Sequence, residues 1–486
     1  MNNRIIYYLF GLIFFIQGCK PDKEDIRELT YHIDKVVCQA NSNFFVADGV
    51  SKLGLEVKLY TKAGTYTDIY GNTQAKYKEI PVNRWKTHTI KFFDRSGKEY
   101  PADFSTKDIS EPFIDFYAEV DGIRSTKPVL QLLAEFPETG QGIEVVDDPT
   151  YFRMHVRQAD PMPSKKRIPV VFHLVDVDKA KEQMQELNAD AVYFVIDLYN
   201  KVFGRKNSVA SNGANPNIEF VPAVRDPNGR ILQEAGINRI YLTESQNKQD
   251  FSINYVLENP RLYWDCEQYL NIWIVTASGW ANTTEANRYI RSIPSAFAKG
   301  SYDAQKFPLP ASVSLLELEG QAAIDSWKKK PTYLENVGLV FHKKSDGFAQ
   351  LYPDYVSQMS AFLGVIPNGS VSETKFYFGS PKTWVDDYCE DTFIYNPYYA
   401  SASKGGLAGT EIGSSRIKYT VRINTNKTGG VPGFPWIEYF SSNTGEQGSF
   451  QSVITQDQAR RIEWSLNNAI GRQMWKNDYA IRPIDK

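Results

Sequence analysis

Two hydrophobic periods divide the chain. Between residues 41 and 145 apolar and polar positions alternate, as in Leu53, Leu55, Val57 and Leu59, and again in Ile114, Phe116, Ala118 and Val120. A period of two places the apolar side chains on one face of a strand, so each stretch predicts a half-buried β-strand. Asp94-Arg95-Ser96-Gly97 and Asp121-Gly122 supply turn chemistry around these strands. A run of short strands with no helical period predicts an all-β sandwich over 41–145. No catalytic set stands out in it, and its expected role is that of a spacer.

Residues 146–166 read as a linker, and from 167 to 486 the pattern changes to alternating strands and helices. Ile168-Pro169-Val170-Val171-Phe172-His173-Leu174-Val175 is a buried-type strand. Val192, Val195, Tyr199 and Val202 then recur at helical spacing, with Asn188 as the expected cap and Gly204 as the stop. Asn217–Val221 and Asn271–Val275 predict two further strands, with a turn at Asp226-Pro227-Asn228-Gly229. Thr455-Gln456-Asp457-Gln458 has the form of a capping box with Gln458 at N3, opening a helix through Ala459, Ile462, Leu466 and Ala469. The expectation is a multidomain chain, with an α/β (α+β) unit after the all-β one.

The N-terminus reads as an address. One basic residue, Arg4, precedes the apolar run Ile5–Ile16, which is too short to span a bilayer and fits a signal peptide over 1–18. Ile16-Gln17-Gly18-Cys19 resembles a bacterial lipobox, with Cys19 as the lipidated residue and 19–40 as a charged tether. An ordinary secretory signal is the alternative. Lys20 followed by Asp22, Glu24 and Asp25 resembles the surface-export signal of Bacteroidetes lipoproteins. The expected location is the outer membrane, held through the lipid on Cys19 and exposed at the cell surface.

Composition narrows the chemistry. With 55 basic against 57 acidic residues the chain has no cationic excess, which argues against nucleic acid as a partner. Five histidines, His32, His88, His155, His173 and His342, are scattered with no two within one or two helical turns. His173 lies in an apolar strand and reads as a satisfied core residue. Cys38, Cys266 and Cys389 allow one disulfide at most, with the pairing open. The acidic cluster Asp386, Asp387, Glu390 and Asp391 reads as a solvated loop, with calcium as the alternative. Lys404–Gly409 reads as a flexible glycine-rich loop. Nucleophile elbows, Walker A loops and dinucleotide fingerprints are absent from the sequence.

In order, IPVVFHLV at 168–175, NPNIEFVPA at 215–223, AGINRI at 235–240, YLNIWIV at 269–275 and DYCEDT at 387–392 resemble landmarks of pappalysin-type zinc metallopeptidases. Lipoprotein members with an N-terminal Ig-like domain are familiar in Bacteroidetes. The resemblance implies a zincin-like fold over 167–486, and zinc held by His-Glu-x-x-His on a helix, then Gly and a third His. The string with that shape here is Ser357-Gln358-Met359-Ser360-Ala361-Phe362-Leu363-Gly364-Val365-Ile366-Pro367. Aligned on its Leu-Gly pair, Ser357, Ala361 and Pro367 stand at the three ligand positions and Gln358 at the general base. At the Met-turn, Ile437 replaces the methionine. An amide has no titratable carboxylate near neutral pH, so Gln358 cannot serve as that base.

The expectation is therefore a pseudopeptidase without zinc or any other cofactor, whose cleft binds a peptide, protein or glycan. An active metallopeptidase with unconventional ligands, and a structural component of an outer-membrane assembly, are the alternatives.

Overall fold

The computed structural model describes residues 32–40, 44–52, 55–67, 71–81, 88–101, 105–126, 151–177, 189–206, 213–242, 259, 261–275, 293–310, 313–329, 337–342, 352–366, 388, 389, 391, 407–412, 419–424 and 454–482. Its first unit is all-β. Strands β1 (Lys35–Ala40), β2 (Phe44–Ala47), β3 (Leu55–Thr67), β4 (Thr73–Glu79), β5 (Ile90–Asp94), β6 (Glu99–Tyr100), β7 (Phe113–Val120), β8 (Ile123–Thr126) and β9 (Phe152–Gln158) form one sheet. They run in the order β2-β9-β7-β8-β1-β3-β4, with β5 on β7 and β6 on β5. The sheet is mixed: β1 lies parallel to β8 and β2 parallel to β9, while the other pairs are antiparallel.

The alternation in the sequence sets which faces are buried. Val57, Leu59, Ile114, Phe116, Ala118 and Val120 all face one core, joined by Val36, Cys38, Phe45 and Met154. Asp121 and Gly122 both take positive φ, 52° and 82°, the backbone of a type I′ turn joining β7 to β8. The sheet reaches beyond the expected limits of 41–145. β1 lies in the stretch read as tether and β9 in the stretch read as linker. Each contributes only three or four apolar residues among polar ones, too few to stand out locally, yet Val36, Cys38 and Met154 are at most 1% exposed.

The second unit is built on β10 (Lys166–Val177). After it come α1 (Ala189–Phe203), β11 (Ile218–Pro222), β12 (Ile237–Leu242), β13 (Leu270–Val275), β14 (Ala296–Ala298), β15 (Leu316–Leu318), α2 (Gly320–Lys328), β16 (Gly338–His342), α3 (Tyr352–Phe362), the hairpin β17 (Leu407–Ile412) and β18 (Tyr419–Asn424), and α4 (Gln456–Asn468). β10 is the spine: β11, β12 and β13 all pair with it in parallel, and β16 pairs in parallel with β13. Both faces of this sheet are covered, as a parallel sheet requires. Ile168, Val170, Phe172 and Leu174 of β10 and Leu270, Ile272 and Ile274 of β13 pack with α1, α3 and α4. On the reverse face Trp273 packs with Leu262, Cys266 and Trp327. A Cβ on Gly338 would come within 2.4 Å of the Trp273 ring, so β16 can approach β13 here only as glycine.

Local signals place the helices well. Val192, Val195, Tyr199 and Val202 of α1 are all buried. The left-handed residue that ends α1 is Arg205, with φ 50°, not Gly204 one position earlier; the Lys206 amide then closes on the Lys201 carbonyl at 3.0 Å. The capping box of α4 is present as expected, with Thr455 and Gln458 bonded reciprocally. The glycine-rich stretch read as a loop at 404–409 instead enters strand β17 at Leu407.

Candidate functional site

Helix α3 carries Ser357, Gln358 and Ala361 of the positions aligned with the zinc motif, and its end is sharply made. Gly364 takes φ 100°, the Gly364 amide donates to the Ala361 carbonyl at 2.9 Å, and the Val365 amide donates to the Ser360 carbonyl at 2.9 Å. This is a Schellman closure, in which a left-handed residue lets two amides satisfy carbonyls the helix leaves open. A Cβ on Gly364 would lie 2.8 Å from the Phe307 ring, so both conformation and space select glycine.

Two buried arginines hold this helix end. Arg461 of α4 donates from Nε to the Gly364 carbonyl at 3.0 Å and from its two terminal nitrogens to the Pro308 carbonyl at 3.1 Å. Its guanidinium lies 4.3 Å from the Phe307 ring centre. Arg472, beyond α4, donates to the Phe362 carbonyl at 2.6 Å and lies 3.5 Å from the Phe362 ring centre. Cations at a helix C-terminus complement its dipole. Burial pulls the Arg472 guanidinium down to about 9. Sequence reasoning did not single out either arginine. The available signal was position: Arg461 falls on the buried stripe with Gln458, Ile462 and Ser465, where a charge demands a partner.

Of the aligned positions, Ala361 is fully buried and packs with Ile293 and Ile366, and Gln358 is 4% exposed. Ser357 lies on α3 directly before Gln358, and its side chain is outside the described residues, as are Pro367, Ile437 and Cys19. Zinc does not fit the part of this set that is described. A methyl group offers no lone pair, and a carboxamide is neither the usual soft nor imidazole donor. Among the described residues, no three of His, Cys, Asp and Glu converge as a metal-ion ligand group.

His173 sits away from α3, on the reverse face of β10. It is fully buried, stacked on Trp273 at 5.5 Å and edge-on to Trp264 at 5.2 Å. Asn238 donates to its Nδ1 at 2.9 Å, and Nε2 faces the Asn271 side-chain oxygen at 2.9 Å. The Asn271 amide nitrogen donates to the Trp264 carbonyl and the Asn238 amide nitrogen also donates to the Arg261 carbonyl, so neither amide can turn over without loss. The ring is thereby held neutral with its proton on Nε2. Burial depresses the imidazole to about 4, with the Asn271 bond opposing. His173 is a satisfied core histidine with both nitrogens occupied. His88, by contrast, pairs with Asp121 at 2.6 Å in the first unit.

Within the acidic segment, Asp391 departs from the solvated loop expected of it. Asp391 is 2% exposed and caps α4: it accepts from the Thr455 hydroxyl at 2.7 Å and the Asp457 amide at 3.0 Å. Burial first, and then the Asp457 charge, push its carboxyl up to about 7, against the lowering effects of Arg157 and the two hydrogen bonds. The positive end of α4 and Arg157 make the burial tolerable. Asp386, Asp387 and Glu390 lie outside the described residues.

All three cysteines described are buried thiols. Cys38 belongs to the core of the first unit and Cys266 to the reverse face of the parallel sheet. Burial pushes the Cys266 thiol up to about 12, the opposite of what a nucleophile needs.

No protein-family model matches the chain, and no curated protein matches its sequence. Among solved structures it is similar to a Tannerella forsythia promirolysin mutant, with 20% identity and a TM-score of 0.35 over 66% of this chain and 88% of that one. It is likewise similar to mature Tannerella forsythia mirolysin in complex with a cleaved peptide, with 19% identity and a TM-score of 0.36, covering 66% of this chain and 100% of that one. Mirolysin in complex with a compound gives 20% identity and a TM-score of 0.35 over the same shares. No helix among the described residues is long and apolar enough to cross a membrane.

Proposed function

We propose that this chain is a metallopeptidase-like binding protein without catalytic zinc, tethered to the outer membrane by lipid on Cys19. The observation that carries the proposal is the state of α3. The helix keeps the glycine turn that a metzincin-type motif requires, while Ala361, at the second ligand position, presents a methyl packed against Ile293 and Ile366. Gln358, at the base position, carries a carboxamide that cannot take up a proton near neutral pH. His173, the one histidine of the parallel sheet with a described side chain, spends both ring nitrogens on asparagines.

A scaffold that retains its shape but not its ligands fits recognition better than hydrolysis. An extended peptide adding to the outer edge of β16, which ends the parallel sheet among the described residues, is the ligand mode this architecture favours. Protein purified without its signal peptide, assayed for metal by mass spectrometry and for casein cleavage with and without chelator, tests the reading. The expected result is zinc far below one equivalent and no chelator-sensitive cleavage. One tightly held equivalent of zinc would overturn it.

A further inference from the structure

We infer that the N-terminal β unit is a fixed brace for helix α3, acting through α4, and not a spacer swinging on a linker. Two joints connect the units. At the first, Arg205, the left-handed residue ending α1, bonds Asp48 and donates to the Ser51 hydroxyl at 2.8 Å. Asp48 is itself set by the Val50 and Ser51 amides at 2.8 and 2.7 Å, and the Gly49 amide reaches the Thr106 hydroxyl at 2.6 Å. The acceptor is therefore held in place before the arginine meets it.

At the second joint, β9 meets the first turn of α4. Arg157 donates to Asp457 at 2.7 Å and lies 3.8 Å from buried Asp391, and the Gln456 side-chain nitrogen Nε2 donates to the Gln158 carbonyl at 2.8 Å. Arg460 clasps Asp160 through two bonds, at 2.6 and 2.8 Å. Arg157 and Asp457 are 18% and 13% exposed, so water competes little for their pair, whereas Arg460 is 54% exposed and forms a screened rim.

The same helix then reaches α3. Thr455 to Asp457 bond the first unit and Asp391, and one turn later Arg461 holds the Gly364 carbonyl. A rigid helix with one end pinned to β9 and its next turn pinned to the close of α3 transmits position from one unit to the other. Arg157 is thus a positioning residue for a turn it does not touch.

Hydrogen exchange on the full mature chain tests this. Arg157→Ala is expected to speed exchange at least tenfold at the Leu363, Gly364 and Val365 amides as well as in the first turn of α4. Asp160→Ala, which removes the rim bonds to Arg460 and leaves Asp457 its arginines, is expected to leave the 363–365 amides unchanged. Loosening confined to α4 in Arg157→Ala would overturn the inference. So would two separate thermal transitions in the unaltered protein, since a brace makes both units unfold together. Arg157→Lys, which keeps the charge but loses the fork, gives the same pattern in smaller measure and serves if the alanine variant does not fold. Neither readout involves zinc or hydrolysis, so failure here would leave the proposed function standing.

Discussion

The Arg461 guanidinium and the Gly364 carbonyl meet at 3.0 Å, a bond that joins α4 to the left-handed residue closing α3. Both groups are buried, and the Pro308 carbonyl takes the rest of the guanidinium. Arg461→Ala orphans two carbonyls at once. At about 1–3 kcal/mol for each unmet buried group, the expected loss is about 3 kcal/mol of unfolding free energy, measured by denaturant titration. A loss under 1 kcal/mol would show that water replaces the arginine.

Gly364→Ala combines a φ of 100° with a contact of 2.8 Å to Phe307. Left-handed alanine alone costs about 1–2 kcal/mol, and the ring must also shift. Thermal unfolding should drop by several degrees, while Gly300→Ala, at φ 76° with open space around it, should show the backbone cost alone.

His173 and Asp391 make opposite demands on pH. The imidazole is held below its ordinary value, so the folded state excludes a proton that the unfolded state accepts. Stability from this group is complete above about pH 6.5 and is lost as pH falls toward 4. The Asp391 carboxyl is held above its ordinary value, so the folded state keeps a proton that the unfolded state releases. That contribution is complete below about pH 4 and is lost as pH rises toward 7. Between these limits the two slopes oppose each other. Asp391→Asn should therefore steepen the gain in stability from pH 4.5 to 6.5, and His173→Phe should reverse its sign; urea midpoints across that range read both. Parallel curves for all three proteins would refute the assignment.

Tyr199 is fully buried on α1, and its hydroxyl has no hydrogen-bond partner among the described residues. Removing an unmet polar group from a core recovers its desolvation cost. Tyr199→Phe is expected to raise stability by about 1 kcal/mol with unchanged secondary structure, and a loss would indicate a bond to an ordered water.

What the sequence disclosed was what is local. Alternation at Ile114–Val120, the helical stripe of α1 and the capping box of α4 each depend on residues within a few positions of one another, and each stands as expected. β1 and β9 escaped notice because Val36, Cys38 and Met154 become core only when distant strands pair with them. The burial of Asp391 was invisible for the same reason: its helix cap lies about 66 residues onward, at Asp457, and its counter-charge is on β9. The glycine turn of α3 was legible, whereas the arginines that hold it sit on another helix.

β10 accepts three partner strands, and this has a kinetic consequence. Its register with β13 begins at Val170 and Leu270, about a hundred residues apart, and β11 and β12 dock on its other edge in the interval. Loop closure of that length must precede any reward from pairing, so the sheet cannot grow outward from a local hairpin. During synthesis Ile168 to Val175 emerges long before β13, leaving an apolar strand with a bare edge in the nascent chain. The element that organises the finished molecule is the one most in need of protection while it is being made.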